Sequence, residues 1–139
     1  MSNKILEGAK IDTVLQNISS FTGATSTSSS LSMANYDRVV FHISQGAITS
    51  APVYVVTAYQ ATDTAMGAAV AISGASTTAT CTASTPVQLE VRADAMDMAN
   101  YPTYSYFGIK VVTSGGTSTN VNAVAVRTPA RFKQTTMPS

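Results

Sequence analysis

Apolar and polar residues alternate along much of this chain with the period of a strand that buries one face. Val87-Gln88-Leu89-Glu90-Val91-Arg92 shows the pattern without a fault and sets Val87, Leu89 and Val91 on one side. Asp37 to Gln45 behaves likewise, with Val39, Phe41 and Ile43 on the face predicted to be core. Val53 to Gln60 and Ser105 to Thr113 are rich in β-branched and aromatic residues and read as central strands. In the second of these, Phe107, Ile109 and Val111 alternate with Tyr106, Gly108, Lys110 and Val112. Val121 to Thr128 carries its bulkier valines on one side, so Val124 and Val126 are expected to point inward. Softer alternation marks further strands at Lys10 to Ile18, Ser28 to Met33, Ala68 to Ser73 and Thr77 to Thr85.

Backbone freedom or a missing donor separates these runs at Gly23, Gly46 with Pro52, Gly74, Pro86 and Gly115-Gly116. Turn signals spaced about 8 to 12 residues apart predict an all-β fold, a two-sheet antiparallel β-sandwich of jelly-roll type with about eight strands. Arg92 to Ala99 is the one stretch suited to a helical turn, which Pro102 then stops. The tetrapeptide Met-Ala-Asn-Tyr occurs at Met33 to Tyr36 and again at Met98 to Tyr101, each time ahead of a strong strand. In both copies Asn is expected to close a turn while Tyr packs on the strand it introduces. The domain plan is an N-terminal arm over residues 1–9, a sandwich over 10–127 and a C-terminal arm over 128–139.

Composition narrows the function. Only 11% of the 139 residues are charged, against roughly a quarter in an ordinary soluble domain. Ser, Thr, Ala and Val fill the space, which suits pleated sheets and flat contacts. A net charge of +1 offers no basic field for nucleic acid and little self-repulsion against association. The longest run of low polarity, Ala65 to Ala71, is broken by Gly67 and is far short of the ~20 residues of a membrane helix. Met1 to Glu7 lacks the apolar core of a signal peptide, so synthesis and assembly in a cytosol are expected. No nucleic-acid or membrane partner is therefore expected.

Catalytic chemistry finds little to work with. His42 is the only histidine and sits on a strand among core residues, where it reads as an outward strand position. Cys81 is the only cysteine, flanked by Thr80 and Thr82, and reads as a half-buried strand residue rather than an activated thiol paired with His42. Glu7, Asp12, Asp37, Asp63, Glu90, Asp94 and Asp97 are too scattered for a general acid and base. Asp94 and Asp97 would share a face of a helical turn, with Asp63 as a further oxygen donor, yet calcium-loop spacing is missing. Phosphate loops, zinc spacings and dinucleotide fingerprints are absent from the sequence. A non-enzymatic protein without cofactor or metal is expected.

Two groups of residues remain as a candidate interface. Tyr101, Tyr104 and Tyr106 beside Phe107 form the one aromatic concentration. They fit three roles: one half of a strand buried on both sides, anchors of a protein interface, or a platform for sugars. Arg127, Arg131 and Lys133 make the C-terminal tail basic, with Phe132 as its aromatic member, and Lys4 and Lys10 do the same at the start. Such arms either fray, as chain termini commonly do, or order against a neighbouring subunit or shell.

Gln45-Gly46-Ala47-Ile48, then Val53 to Asp63 closing in Gln60-Ala61-Thr62-Asp63, then Gly67-Ala68-Ala69-Val70 resemble a family of small tailed-phage virion proteins. Leu31 to Asp37 and Tyr106 to Val112 look like the same family's strand start and penultimate strand, and the resemblance runs from about Ile11 to Pro129. It implies a capsid decoration or cement protein: a β-sandwich, often a homotrimer, clipped onto the outside of the head shell. Its partner would be the lattice of the major capsid protein, and its place the virion exterior after assembly in the bacterial cytoplasm. The family supplies no catalytic residues, and many of its members look more acidic than this chain with its basic tail. A receptor- or glycan-binding sandwich of a phage fibre, with Tyr104 and Tyr106 as platform, is the alternative.

Overall fold

The computed structural model describes residues 10–18, 21–23, 25–34, 36–82 and 85–129. In chain order the strands are β1 (Lys10–Ile18), β2 (Phe21–Thr22), β3 (Thr25–Thr27), β4 (Leu31–Ser32), β5 (Tyr36–Ser44), β6 (Ile48–Thr49), β7 (Val53–Ala61), β8 (Val70–Thr80), β9 (Val87–Arg92), β10 (Tyr106–Ser114), β11 (Thr117–Ser118) and β12 (Val121–Pro129). A 3₁₀ turn, Ala93–Ala95, follows β9. One main sheet runs β1-β12-β5-β9 and the other β3-β10-β7-β8, with β4 also on β10; β2-β11-β6 make a small third sheet.

The pairing order identifies the roll. β3 and β4 lie along the same side of β10 and act as one strand. The first principal strand then pairs with the last (β1, β12), the second with the second-last (β3/β4, β10), the third with the sixth (β5, β9) and the fourth with the fifth (β7, β8). Such a chain is one long antiparallel hairpin, bent at residues 62–69 and rolled so that successive pairs go to alternate sheets, which is a jelly roll. The β12–β5 and β10–β7 ladders close the roll.

Alternation along the strands builds the core between the sheets. Val39, Phe41 and Ile43 of β5 and Val87, Leu89 and Val91 of β9 are buried from one side, as their pattern predicts. From the other come Tyr54, Val56 and Ala58 of β7 and Phe107, Ile109 and Val111 of β10, and all belong to one cluster.

Several local expectations are corrected. On β12 the buried residues are Val121, Ala123 and Ala125, while Val124 and Val126 face outward. Ala125 and Ala123 lie opposite Phe41 and Ile43, whose bulk already fills the inner face and leaves room only for methyl groups. The stretches 68–73 and 77–85 are not two strands. Gly74, at φ +78°, lets β8 run on through a bulge, so that Tyr59 opposes Ala71 while Thr57 opposes Ser76. The stretch 28–33 splits the other way, into loop and the short β4. The two Met-Ala-Asn-Tyr copies also differ: Met33 is buried and Tyr36 opens β5, whereas Met98 is exposed and Tyr101 stays in a loop.

Candidate functional site

The chain enters and leaves the roll at one end, where Lys10 lies opposite Arg127. The connections after β4, β7 and β9 gather at the same end and are tied to one another by the backbone. Met33 N–H donates to the Ser105 carbonyl at 2.9 Å and Ser30 N–H to that of Thr64 at 3.0 Å. The Ser30 hydroxyl also donates to the Asp63 carbonyl. Gln60, buried on β7, holds the long connection after β9 by accepting from Asp97 N–H at 2.8 Å and donating back to the Asp97 carbonyl at 3.4 Å.

This connection carries the tyrosines. Tyr101 N–H donates to the Asp97 carbonyl and Tyr104 N–H to the Tyr101 carbonyl, a winding that brings the two rings to 5.0 Å at 47°. Both rings are half-buried, and Met98 on the same connection is 41% exposed. Tyr106 begins β10 between Ser32 and Ala61, half-buried on the face opposite Phe107. Tyr101 and Tyr104 are therefore brought together, with Tyr106 a short way along the same segment.

Arg127 departs from the interface cation expected where the sandwich meets the basic tail. It lies on β12 at 6% exposure and its guanidinium is committed inside the fold. Nη2 pairs with Asp12 Oδ2 at 2.7 Å, Nη1 donates to the Ser32 carbonyl at 2.7 Å, and the plane lies 4.6 Å from the Tyr36 ring centroid. One side chain thus locks β1, β4, β5 and β12 together where the chain begins and ends its roll. The sequence pattern, which put Val124 and Val126 inward, set Arg127 on the outer register, and only the pairing with β5 reverses it. Arg131, Phe132 and Lys133 lie outside the described residues.

The remaining polar groups serve local structure. Asp63 accepts from the N–H groups of Ala65 and Gly67, both at 2.9 Å. Asp97 accepts from the Asn100 side chain at 2.9 Å and its N–H at 3.2 Å, which holds the Asp97 carboxyl below its ordinary range. Asp94 meets Arg92 at 3.6 Å and Glu90 meets Arg38 at 2.9 Å, both at the surface. Among the described residues no group of three His, Cys, Asp or Glu converges as a metal site requires.

The opposite end holds the one cysteine. Cys81 follows β8, fully buried rather than half-buried, and its N–H donates to the Pro52 carbonyl at 2.8 Å. Its polar neighbour is the Tyr54 hydroxyl, which also meets Ser118, and not His42, which lies on the outer face of the other sheet between Val124 and Gln88. Burial pushes the Tyr54 hydroxyl up to about 12, with Ser118 opposing and Cys81 adding to the rise. Burial likewise raises the Cys81 thiol, so the thiolate is disfavoured.

The outer face of the second sheet completes the picture. Thr25, Val112, Val55 and Thr78 form one row across its four strands, and Thr27, Lys110, Thr57 and Ser76 the next. Lys110 is the only charge in these rows, and its ammonium lies 4.5 Å from the centroid of the Tyr59 ring. Val55 at 36% and Val112 at 42% exposure stand side by side in its centre. No helix among the described residues is long and apolar enough to cross a membrane.

No protein-family model and no curated protein matches the chain. Among solved structures, the SPBc2 prophage-derived protein YomS aligns over 86% of this chain and 91% of its own, with a TM-score of 0.50 and 11% identity. A protein of the Bacillus endospore appendages, which are disulfide-linked pili, aligns over 87% of this chain and 88% of its own at a TM-score of 0.45 and 9% identity. A chain from infectious bursal disease virus, Gx strain, gives a TM-score of 0.46 at 14% identity, over 87% of this chain but 32% of that one. At such identities the likeness to YomS is one of fold.

Proposed function

We propose that this is a non-enzymatic structural virion protein that decorates and stabilises the outer surface of a tailed-phage capsid. The observation that carries the reading is the gathering, at one end of a jelly roll, of the chain's way in, its way out and the Tyr101–Tyr104 pair with exposed Met98. A large aromatic body with a polar tip suits a protein contact. Both terminal segments depart from beside it, so ring contacts and arms can engage one lattice together, and weak sites add up there. Asp12 and Arg127 are tied into an ion pair and Asp63 and Asp97 into turns, which supports a contact made by shape, apolar area and main chain. The fold shared with a prophage-derived protein and the sequence resemblance to decoration proteins support the phage setting.

Mixing the full chain with undecorated heads of the phage that encodes it, followed by sedimentation, tests the reading. The protein is expected to pellet with the heads, and Tyr104→Ala or removal of residues 130–139 to leave it in the supernatant. No retention on the heads, together with glycan-array binding that Tyr104→Ala abolishes, would replace this reading with the fibre module.

A further inference from the structure

The borders of the two main sheets are finished in different ways. β1 carries Lys10 and Asp12, and its ladder shifts register between Thr13 and Leu15 and again between Leu15 and Ile18. β9 carries Glu90 and Arg92 and follows Pro86. β3 and β4 supply their border only in pieces of three and two residues. Charge, bulges and brevity are the means by which proteins stop an edge from accepting another strand. The second half of β8 has none of them. From Ser76 opposite Thr57 to Thr80 opposite Val53 it keeps regular register with β7, and Ser76-Thr77-Thr78-Ala79-Thr80 contains no charge, proline or glycine. Its bulge lies upstream, around Gly74. Among the described residues no strand pairs with its outer edge.

We infer that Ser76–Thr80 is the pairing edge for a second copy of this chain, antiparallel about a twofold axis through Thr78. Thr78 then faces Thr78 of the partner subunit, and Ser76 faces Thr80 of the partner subunit. A twofold contact must fit itself, and this segment does, with hydroxyl side chains at both ends and the centre and no like charges to oppose. Ser76, Thr78 and Thr80 are exposed on the same face, and the Ser76 and Thr57 hydroxyls lie 3.2 Å apart, so cross-strand hydroxyl contacts already border the edge. Pairing would join the two copies' larger sheets into one continuous sheet. Five residues make a short ladder, so the contact is weak in solution and gains when copies are repeated on a surface. The inference does not depend on the capsid reading.

Sedimentation equilibrium of the full chain, from dilute solution up to about 1 mM, the weak end of specific affinities, is the test. The smallest assembly should double in mass with concentration, and the amides of residues 76–80 should gain hydrogen-exchange protection in step. Thr78→Lys sets two ammonium groups opposite each other and should weaken pairing at least tenfold; Thr78→Asp serves if the first variant does not fold. Val112→Lys, on the face of the same sheet, should pair like the parent. A single mass at every concentration overturns the inference, as does pairing that survives both Thr78 variants or is lost equally in Val112→Lys.

Discussion

The two ends of this roll solve the same problem in different ways. Loop backbone must find hydrogen-bond partners. At the Cys81 end, loops far apart in the chain supply them to each other: β2, β11 and β6 form a sheet of their own. Gly46 N–H donates to the Thr119 carbonyl at 2.7 Å, and the Gln45 amide reaches the carbonyls of Thr82 and Thr85. Phe21 and Tyr54 fill the space beneath, their rings 5.7 Å apart. At the tyrosine end the loops are joined by separate bonds, Met33 to Ser105, Ser30 to Thr64 and Gln60 to Asp97, but among the described residues they do not pair as strands, and Asp63 and Asp97 close turns within their own loops. Loops paired to each other cannot change without loss of fold; loops closed locally leave their side chains free to face outward. The difference separates an end that holds the roll from an end suited to contact.

Phe21→Ala should show the contrast most strongly. Phe21 is 2% exposed, and its removal leaves a cavity under the small sheet costing about 3–5 kcal/mol; urea unfolding checks it. Arg127→Ala should cost about 1.5–3 kcal/mol by leaving Asp12 and the Ser32 carbonyl without their charged donor. This is the largest loss expected at the tyrosine end, because Arg127 ties the strands of the roll rather than its loops. Gly116→Ala should cost about 1–3 kcal/mol, because a Cβ there collides with the Thr49 carbonyl and crowds the Pro52 nitrogen, both rigid backbone.

Alkaline titration sharpens the comparison further. Tyr54 titrates near 10.0 in the unfolded chain and at about 12 in the fold, so its contribution to stability is full below pH 10.0 and is lost as pH rises toward about 12. Thermal unfolding across that window should show the loss, and Tyr54→Phe should flatten it. The smallest effects belong to the tyrosine end. Tyr104→Ala should cost about 1 kcal/mol, the worth of a ring pair. Asp97 has the opposite sign to Tyr54: its lowered pKa gives a contribution present above the ordinary carboxylate range and lost as pH falls through the folded value. An NMR titration of its carboxyl should move up toward the ordinary range in Asn100→Ala, which removes the side-chain donor and keeps the backbone ones.

Much of the fold was legible because strand alternation is a local signal. β5 and β9 bury the residues that the pattern assigned to the core, and β7 and β10 are the central strands they read as. β12 was misread because Ala and Val differ too little for the pattern to rank its two faces, and the decision came from Phe41 and Ile43 on the neighbouring strand. The site was legible in part. The tyrosine concentration was visible in the sequence, but the meeting of Tyr101 with Tyr104 depends on Gln60, which lies far away in the chain and anchors Asp97. Arg127 looked like a free cation beside a basic tail, and its partners Asp12, Ser32 and Tyr36 come from the other end of the chain.

By itself the sequence determined an all-β roll with a weakly charged body, since periodicity and composition are read residue by residue. Tertiary structure alone decided that the first strand pairs with the last and that the tyrosines share an end with both ways out of the roll. It also decided that, among the described residues, one short edge of β8 has no paired strand. Those outcomes depend on which distant strands meet, and a pattern of period two is the same whichever partner a strand takes.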